Sequence, residues 1–434
     1  MSFELLSPRE QIVQVMNRIY YGGMTTLSGG NLSILDQDGA IWITPSGVDK
    51  GNLTGADILV IAPDGTVNGL HRPSTELPFH RAIYAQRPDV GAIVHAHAPA
   101  LVSFSIARKI PDTNLIPQAR RVCGRVGYAP YALPGSEALG ESIAHAFGEG
   151  YDVVLLENHG VATVGRTLLE AFQRLETLDF CARTQMYAQG LGQITTLTDE
   201  QISSIEHQQH LLPITEITTH SSRERELRRQ LVDVVQRACA RQLMISTEGV
   251  VSARVTEDTF LITPTDYDRP NITHDDLVLI QAGQRETGKT PSRSVLLHDA
   301  IYRQHPNVQC IITAQSPYAT AYAIAEQSFG TRTIPESYIM LLDVPKLAFG
   351  AQYHEPETIA RMISPQCPVI LLQNDCVMTT GSSVLQAFDR LEVAEFTARS
   401  LIETASIGQV VPIGETEIND LRGKFLKGII NPST

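Results

Sequence analysis

Three things are scarce in this chain, and each scarcity excludes a class of protein. Basic residues are in deficit: 34 Lys and Arg stand against 47 Asp and Glu, a net charge of −13. A nucleic-acid-binding face needs the opposite balance, so no polynucleotide partner is expected. Long apolar runs are absent, and none approaches the roughly 20 residues of a membrane-spanning helix. The opening MSFELLSPRE has no basic region followed by an apolar stretch, so no secretory signal is expected either. Paired cysteines are also missing. Cys123, Cys181, Cys239, Cys310, Cys367 and Cys376 are scattered, with no CxxC pair. That pattern suits idle thiols in a reducing cytoplasm and argues against a cysteine metal site.

What is present is enough for two sizeable cores. At 434 residues and 43% hydrophobic content, two domains of about 200 residues each are the natural division. Ser7-Pro8-Arg9-Glu10 reads as a helix start with a capping box, and Gly22-Gly23 as its end. Strands are expected at Leu32–Leu35, Ile41–Thr44, Ile58–Ala62, Ile93–Ala96 and Val153–Leu156. A long amphipathic helix is expected from Thr167 to Gln189, with Phe172, Leu175, Leu178, Ala182 and Met186 on its apolar face. The polar stretch from Gly190 to Ser222 reads as a linker, with a helical piece near Asp199–His210.

The second half repeats the first. Ala171-Phe172-Gln173-Arg174-Leu175-Glu176 returns as Ala387-Phe388-Asp389-Arg390-Leu391-Glu392, at an offset of 216. Thr44-Pro45 returns as Thr263-Pro264, and Pro73-Ser74 with His80 as Pro291-Ser292 with His298. Residues 1–215 and 222–434 are therefore expected to share one architecture.

The repeat is an internal control, because structural residues survive in both copies and chemical residues need not. His95-Ala96-His97 becomes Thr313-Ala314-Gln315, His159 becomes Asp375, and Glu76 becomes Ser294. Asn31 becomes Val250, and Gly47 becomes Asp266. The three histidines and the glutamate are lost together, which marks them as one unit. His80 is kept as His298, which marks it as structural. On a strand, His95 and His97 face the same side. With His159 they offer three neutral nitrogens and leave an open position, the pattern of a catalytic zinc site or that of another divalent transition metal. Glu76 stands at an expected helix start, where it is either an ordinary first-turn acid or a base beside a metal. Ser28-Gly29-Gly30-Asn31, Thr44-Pro45-Ser46-Gly47 and Ser74-Thr75 are rich in backbone donors and hydroxyls and read as a cradle for phosphate or carboxylate.

SGGNLS, TPSG, PSTELPFH, HAHA and ENHG, in this order and spacing, resemble the class II aldolase/adducin superfamily, in particular its L-fuculose-phosphate aldolase branch. The resemblance covers residues 8–190 and, in degenerate form, 225–405. It implies an α/β fold: two tandem three-layer α/β/α domains, each around a mainly antiparallel sheet. It implies zinc on His95, His97 and His159, acid–base work by Glu76, and substrate phosphate on Asn31, Ser46, Gly47, Ser74 and Thr75. The implied activity is a carbon–carbon lyase acting on a ketose phosphate or related hydroxycarbonyl compound. Epimerase, dehydratase, decarboxylase or an adducin-like scaffold role are the alternatives. The family's interface tyrosine falls on Ile116 here. Two chains pairing as a homodimer would imitate the family's four-fold tetramer. In such a pair, Glu336 or Tyr338 of the degenerate copy is the candidate to supply the missing acid.

Overall fold

The computed structural model describes residues 3–206 and 212–427. Contacts divide the chain into two compact units. The first is Met1–Thr113 with Gln118–Arg183, and the second is Asn114–Pro117 with Thr184–Thr434.

The first unit opens with α1 (Pro8–Tyr21), whose start is the expected capping box: Ser7 and Glu10 bond reciprocally, with Pro8 in the first turn. Ile12, Val15, Met16 and Ile19 fall on one face and are fully buried, each contributing about 1.5–3 kcal/mol of apolar burial. Then come β1 (Asn31–Leu35), β2 (Ile41–Ile43), β3 (Leu59–Ile61), β4 (Val67–Asn68), α2 (Leu77–Gln86), β5 (Ala92–Ala96), α3 (Pro99–Ile106), α4 (Pro117–Cys123), β6 (Gly127–Ala129), α5 (Glu137–Gly148), β7 (Val153–Leu156), β8 (Gly160–Gly165) and α6 (Leu168–Ala188). The strands form one sheet in the order β4-β3-β2-β1-β5-β8-β7-β6. Every neighbouring pair is antiparallel except β6 and β7.

Strand alternation sorts side chains to two cores. Leu32, Ala92, Val94 and Val161 pack with Ile12 of α1, Leu101 of α3 and Phe172 of α6. Ile43, Ile93, Ala162 and Val164 pack with Phe79 and Ile83 of α2 and Phe147 of α5. Helices thus cover both faces of a mainly antiparallel sheet, as the resemblance implied.

In the second unit, α7 (Asp199–Glu206), β9 (Ile214–Thr215) and α8 (Ser222–Ala240) precede β10 (Val250–Arg254), β11 (Thr259–Ile262), β12 (Val278–Gln281), β13 (Gln284–Glu286) and α9 (Val295–Gln304). They are followed by β14 (Cys310–Ala314), α10 (Pro317–Ile324), α11 (Pro335–Leu341), β15 (Lys346–Leu347), α12 (Ala351–His354), α13 (Pro356–Met362), β16 (Val369–Leu372), β17 (Cys376–Gly381), α14 (Val384–Thr404) and α15 (Glu415–Phe425). The strand order from β13 through β12, β11, β10, β14, β17 and β16 to β15 is that of the first sheet, with β9 added beside β13. Register is kept as well: Asn31 pairs with His95, and Val250 pairs with Thr313.

Two details depart from the sequence reading. The stretch after Gly190 is packed and not a bare linker, for Leu191, Leu197, Ile202 and Ile205 are buried. Its expected helix is present over Asp199–Glu206, and residues 207–210 of the expected span lie outside the described residues. Met186, expected on the apolar face of α6, is 40% exposed, while Ala188 in the same turn is fully buried.

Candidate metal centre and its carboxylate

β5 runs between β1 and β8. Val94 and Ala96 enter the core beneath α1 and α6, so His95 and His97 point to the opposite face. There Phe79 meets the edge of the His95 ring at 5.6 Å between centroids. His159 follows β7 in a tight turn in which Asn158 takes φ +55°. Gly160 lets that turn lie on the end of β5: a Cβ there would stand 2.5 Å from Ala96 O and 2.9 Å from His97 Cδ2.

The three imidazoles converge. His97 Nε2 is 3.0 Å from His95 Nε2, and a nitrogen of each of the three rings lies within 4.8 Å of the other two. His95 Nδ1 donates to Val161 O at 2.9 Å, which fixes the tautomer and leaves Nε2 bare. Burial, and next to it the neighbouring imidazoles, push His95 and His97 down to about 3. Both imidazoles are therefore neutral at pH 7 and able to offer a lone pair to a metal ion. Metal–nitrogen bonds of about 2.0–2.1 Å set ligand nitrogens roughly 3–3.5 Å apart. Nitrogens at 3.0 Å, one with its proton committed elsewhere, fit a shared divalent cation.

Glu76 caps the start of α2 without bonding its backbone. Its carboxylate turns to the imidazoles instead. Oε2 lies 3.3 Å from His95 Nε2, and Oε1 3.4 Å from His159 Nε2. Asn31 Nδ2 donates to Glu76 Oε2 at 2.6 Å. Asn31 Oδ1 accepts from His80 Nε2 at 2.5 Å, and His80 Nδ1 meets Ser33 Oγ at 2.6 Å. Burial pushes His80 down to about 3, so it is neutral too. The Asn31 side chain, expected to hold phosphate, is placed on Glu76 and His80.

The other cradle residues lie together. Pro45 and Pro73 form a β-bridge, Ser46 N donates to Arg72 O, and Ser74 N donates to Thr44 O. Ser74 Oγ accepts from Glu76 N at 3.3 Å. Gly47 takes φ +70° with open space around it, and Thr75 is exposed. Beneath this turn Lys50 is buried and donates through Nζ to Pro45 O at 2.5 Å. Burial lowers its pKa to about 8. Sequence reasoning missed Lys50. The signal was its match to Arg269, whose guanidinium donates to Pro264 O and Gly249 O in the second copy.

That copy shows what replaces the cluster. Asp375 stands where His159 does, and its carboxylate accepts from Gln315 Nε2 at 3.3 Å and from Gln352 Nε2. Burial, with the charge of Glu248, raises Asp375 to about 6. Among the described residues, His95, His97 and His159 form the one three-residue set able to hold a metal ion. Glu336 is exposed in the first turn of α11. Tyr338 is buried against Ile418 and Leu426, and its hydroxyl accepts from Arg422 Nε at 2.7 Å. The phenol is thus engaged inside its own unit. Ile116 is buried, 1% exposed.

Comparison with known proteins adds a family match and three relatives. The family model for the class II aldolase and adducin N-terminal domain matches residues 10–186 and again 229–402. A 3-oxo-tetronate 4-phosphate decarboxylase of Haemophilus influenzae is 32% identical over 46% of this chain and 97% of its own length. A 5-deoxy-D-ribulose 1-phosphate aldolase of Bacillus thuringiensis is 31% identical over 46% of this chain and 94% of its own, and an L-fuculose phosphate aldolase of Methanococcus vannielii is 32% identical over 40% and 93%.

Proposed function

Because the chain belongs to the class II aldolase and adducin family, with two tandem matches, we propose that its first copy, residues 1–215, is a metal-dependent carbon–carbon lyase acting on a phosphorylated hydroxyketone. Residues 222–434 are its degenerate partner copy. The observation that carries the reading is the convergence of His95, His97, His159 and Glu76, all replaced together in the second copy. Zinc suits a three-imidazole set with an open position. Held by His95, His97 and His159, it would supply Lewis-acid stabilisation of developing negative charge.

The chain's own residues do the rest. Ser46, Gly47, Ser74 and Thr75 hold the phosphate, with the Lys50 charge beneath them, and this fixes the reacting end. Breaking a bond next to a carbonyl leaves its electron pair on carbon as an enediolate. In aldol cleavage the proton of the departing hydroxyl passes to solvent water, and Glu76, protonated from water, gives its proton to that carbon. Oε2 is taken by the Asn31 amide, so Oε1 is the oxygen that carries the proton.

Decarboxylation of a 3-oxo acid phosphate is the second reading, and Ile116 favours it. Aldol cleavage needs a group to take the proton of the departing hydroxyl. Carbon dioxide leaves with no such proton, and a buried isoleucine offers none. Net decarboxylation takes up one proton, which water returns to Glu76. Zinc-loaded protein assayed with ketose 1-phosphates and with 3-oxo-tetronate 4-phosphate separates the two: aldehyde release marks the first, carbon dioxide the second. No turnover of either would overturn the proposal.

A further inference from the structure

Resting on the lyase reading, we infer that Asn31 is a positioning residue. It ties Glu76 to a buried hydrogen-bond chain starting at Tyr84, and so sets the carboxylate beside the imidazoles.

The chain is built from two matched periodicities. Glu76, His80 and Tyr84 are four apart along α2 and its cap, about 6 Å per step at 1.5 Å per residue. Asn31 and Ser33 are two apart on β1, roughly 6.6 Å per step. Helix and strand therefore interleave as rungs: Tyr84 hydroxyl to Ser33 Oγ at 2.7 Å, Ser33 Oγ to His80 Nδ1 at 2.6 Å, His80 Nε2 to Asn31 Oδ1 at 2.5 Å, Asn31 Nδ2 to Glu76 Oε2 at 2.6 Å.

Its direction is fixed from the acid end. A carboxylate only accepts, so the Asn31 amide turns its NH2 to Glu76. Asn31 Oδ1 then faces His80, which must donate through Nε2 and leave Nδ1 bare. Ser33 donates to Nδ1 and accepts from Tyr84. Reversing one link sets two donors or two acceptors face to face. Asn31, Ser33, His80 and Tyr84 are all buried, so water does not readily replace a link.

The second copy keeps the scaffold and lacks the coupling. Ser252 Oγ meets His298 Nδ1 and the Tyr302 hydroxyl, each at 2.7 Å. With Val250 in place of Asn31 and Ser294 in place of Glu76, His298 Nε2 is buried with no hydrogen-bond partner. The Tyr–Ser–His part therefore belongs to the fold. The asparagine occurs where the glutamate does.

The experiment uses the full chain with its divalent ion and three variants: Asn31→Val, the side chain of the second copy; Ser33→Ala, three links from Glu76 and not bonded to it; and Ser252→Ala as the matched control. A misplacement of about 1 Å costs about 100-fold. On that scale kcat falls roughly 30–100-fold in N31V and roughly 3–10-fold in S33A, and stays within about 2-fold in S252A. KM and inhibition by inorganic phosphate stay within about 2-fold in S33A and S252A, whose side chains lie outside the cradle. The visible absorption of Co2+-loaded protein, which reads the carboxylate's approach without turnover, shifts in N31V and S33A and not in S252A. Loss of phosphate affinity by tenfold or more in N31V with kcat held overturns the inference. So does S33A matching S252A in both kcat and cobalt spectrum. A parent with no turnover sinks the lyase reading alone, and the cobalt spectra still decide the chain.

Discussion

Gly29 lies directly under His97: a Cβ on Gly29 would stand 2.9 Å from His97 Nδ1. In the second copy, where Gln315 replaces His97, the position of Gly29 holds Glu248. The glycine is thus tied to the imidazole. Gly29→Ala should push the His97 ring and weaken divalent-ion affinity about 10–100-fold, the usual scale for groups that orient a ligand. Competition titration with a chromophoric chelator reads this directly, and unchanged affinity would show that the ring has room.

Glu76→Gln should keep the ion and lose turnover. The carboxamide fills the same space and cannot accept the proton, so kcat should drop about 10²–10⁴-fold. Elemental analysis must find the same metal content as in the parent. A variant with parental kcat would remove Glu76 from the proton's path.

One tightly bound ion per chain is expected by elemental analysis after metal-replete purification. His159→Ala should abolish it. Asp375→Ala should leave it untouched, because Gln315 and Gln352 already bond the Asp375 carboxylate. Two ions per chain would contradict the assignment of the second copy as degenerate.

Asp375 makes a prediction about pH. Burial first, and then Glu248, raise it to about 6 from an ordinary 3.8. The folded state therefore holds the proton more tightly than the unfolded state. Ionising Asp375 costs stability as pH rises from about 4 through about 6. Asp375→Asn removes that cost, and the second unit should gain about 1–2 kcal/mol at pH 8 and nothing at pH 3. Urea unfolding at the two pH values checks it. An equal effect at both would mean that hydrogen bonding, not charge, decides.

How much of this was legible depends on the range of the interaction. His95 and His97 could be paired from the two-residue period of a strand, and the histidine set from its joint loss in the repeat. The α1 start was legible because Ser7 and Glu10 bond each other locally. Glu76 stayed ambiguous, because a helix-start carboxylate turns to the backbone or away from it according to what packs opposite. Asn31 read as an anion ligand by motif, whereas its partners come from α2, 45 and 49 residues further on. The spacing Glu76, His80, Tyr84 against Asn31, Ser33 was in the sequence, and its meaning required knowing that α2 lies on β1. Two-residue strands such as β4 and β15 carry too little alternation to be read.

The kept register of the second sheet bears on when the ion arrives. β14 pairs with β10 and β17 through Thr313 and Ala314 as β5 pairs with β1 and β8 through His95 and Ala96, and β14 does so with no imidazole. The architecture closes without coordination bonds, unlike a small zinc-nucleated module that is unfolded until loaded. On the proposed metal-centre reading, loading would be a late event on a finished polypeptide. Stripping the ion with a chelator should yield a folded, silent protein, and returning the ion should restore it within the time of a binding step, with no refolding in between.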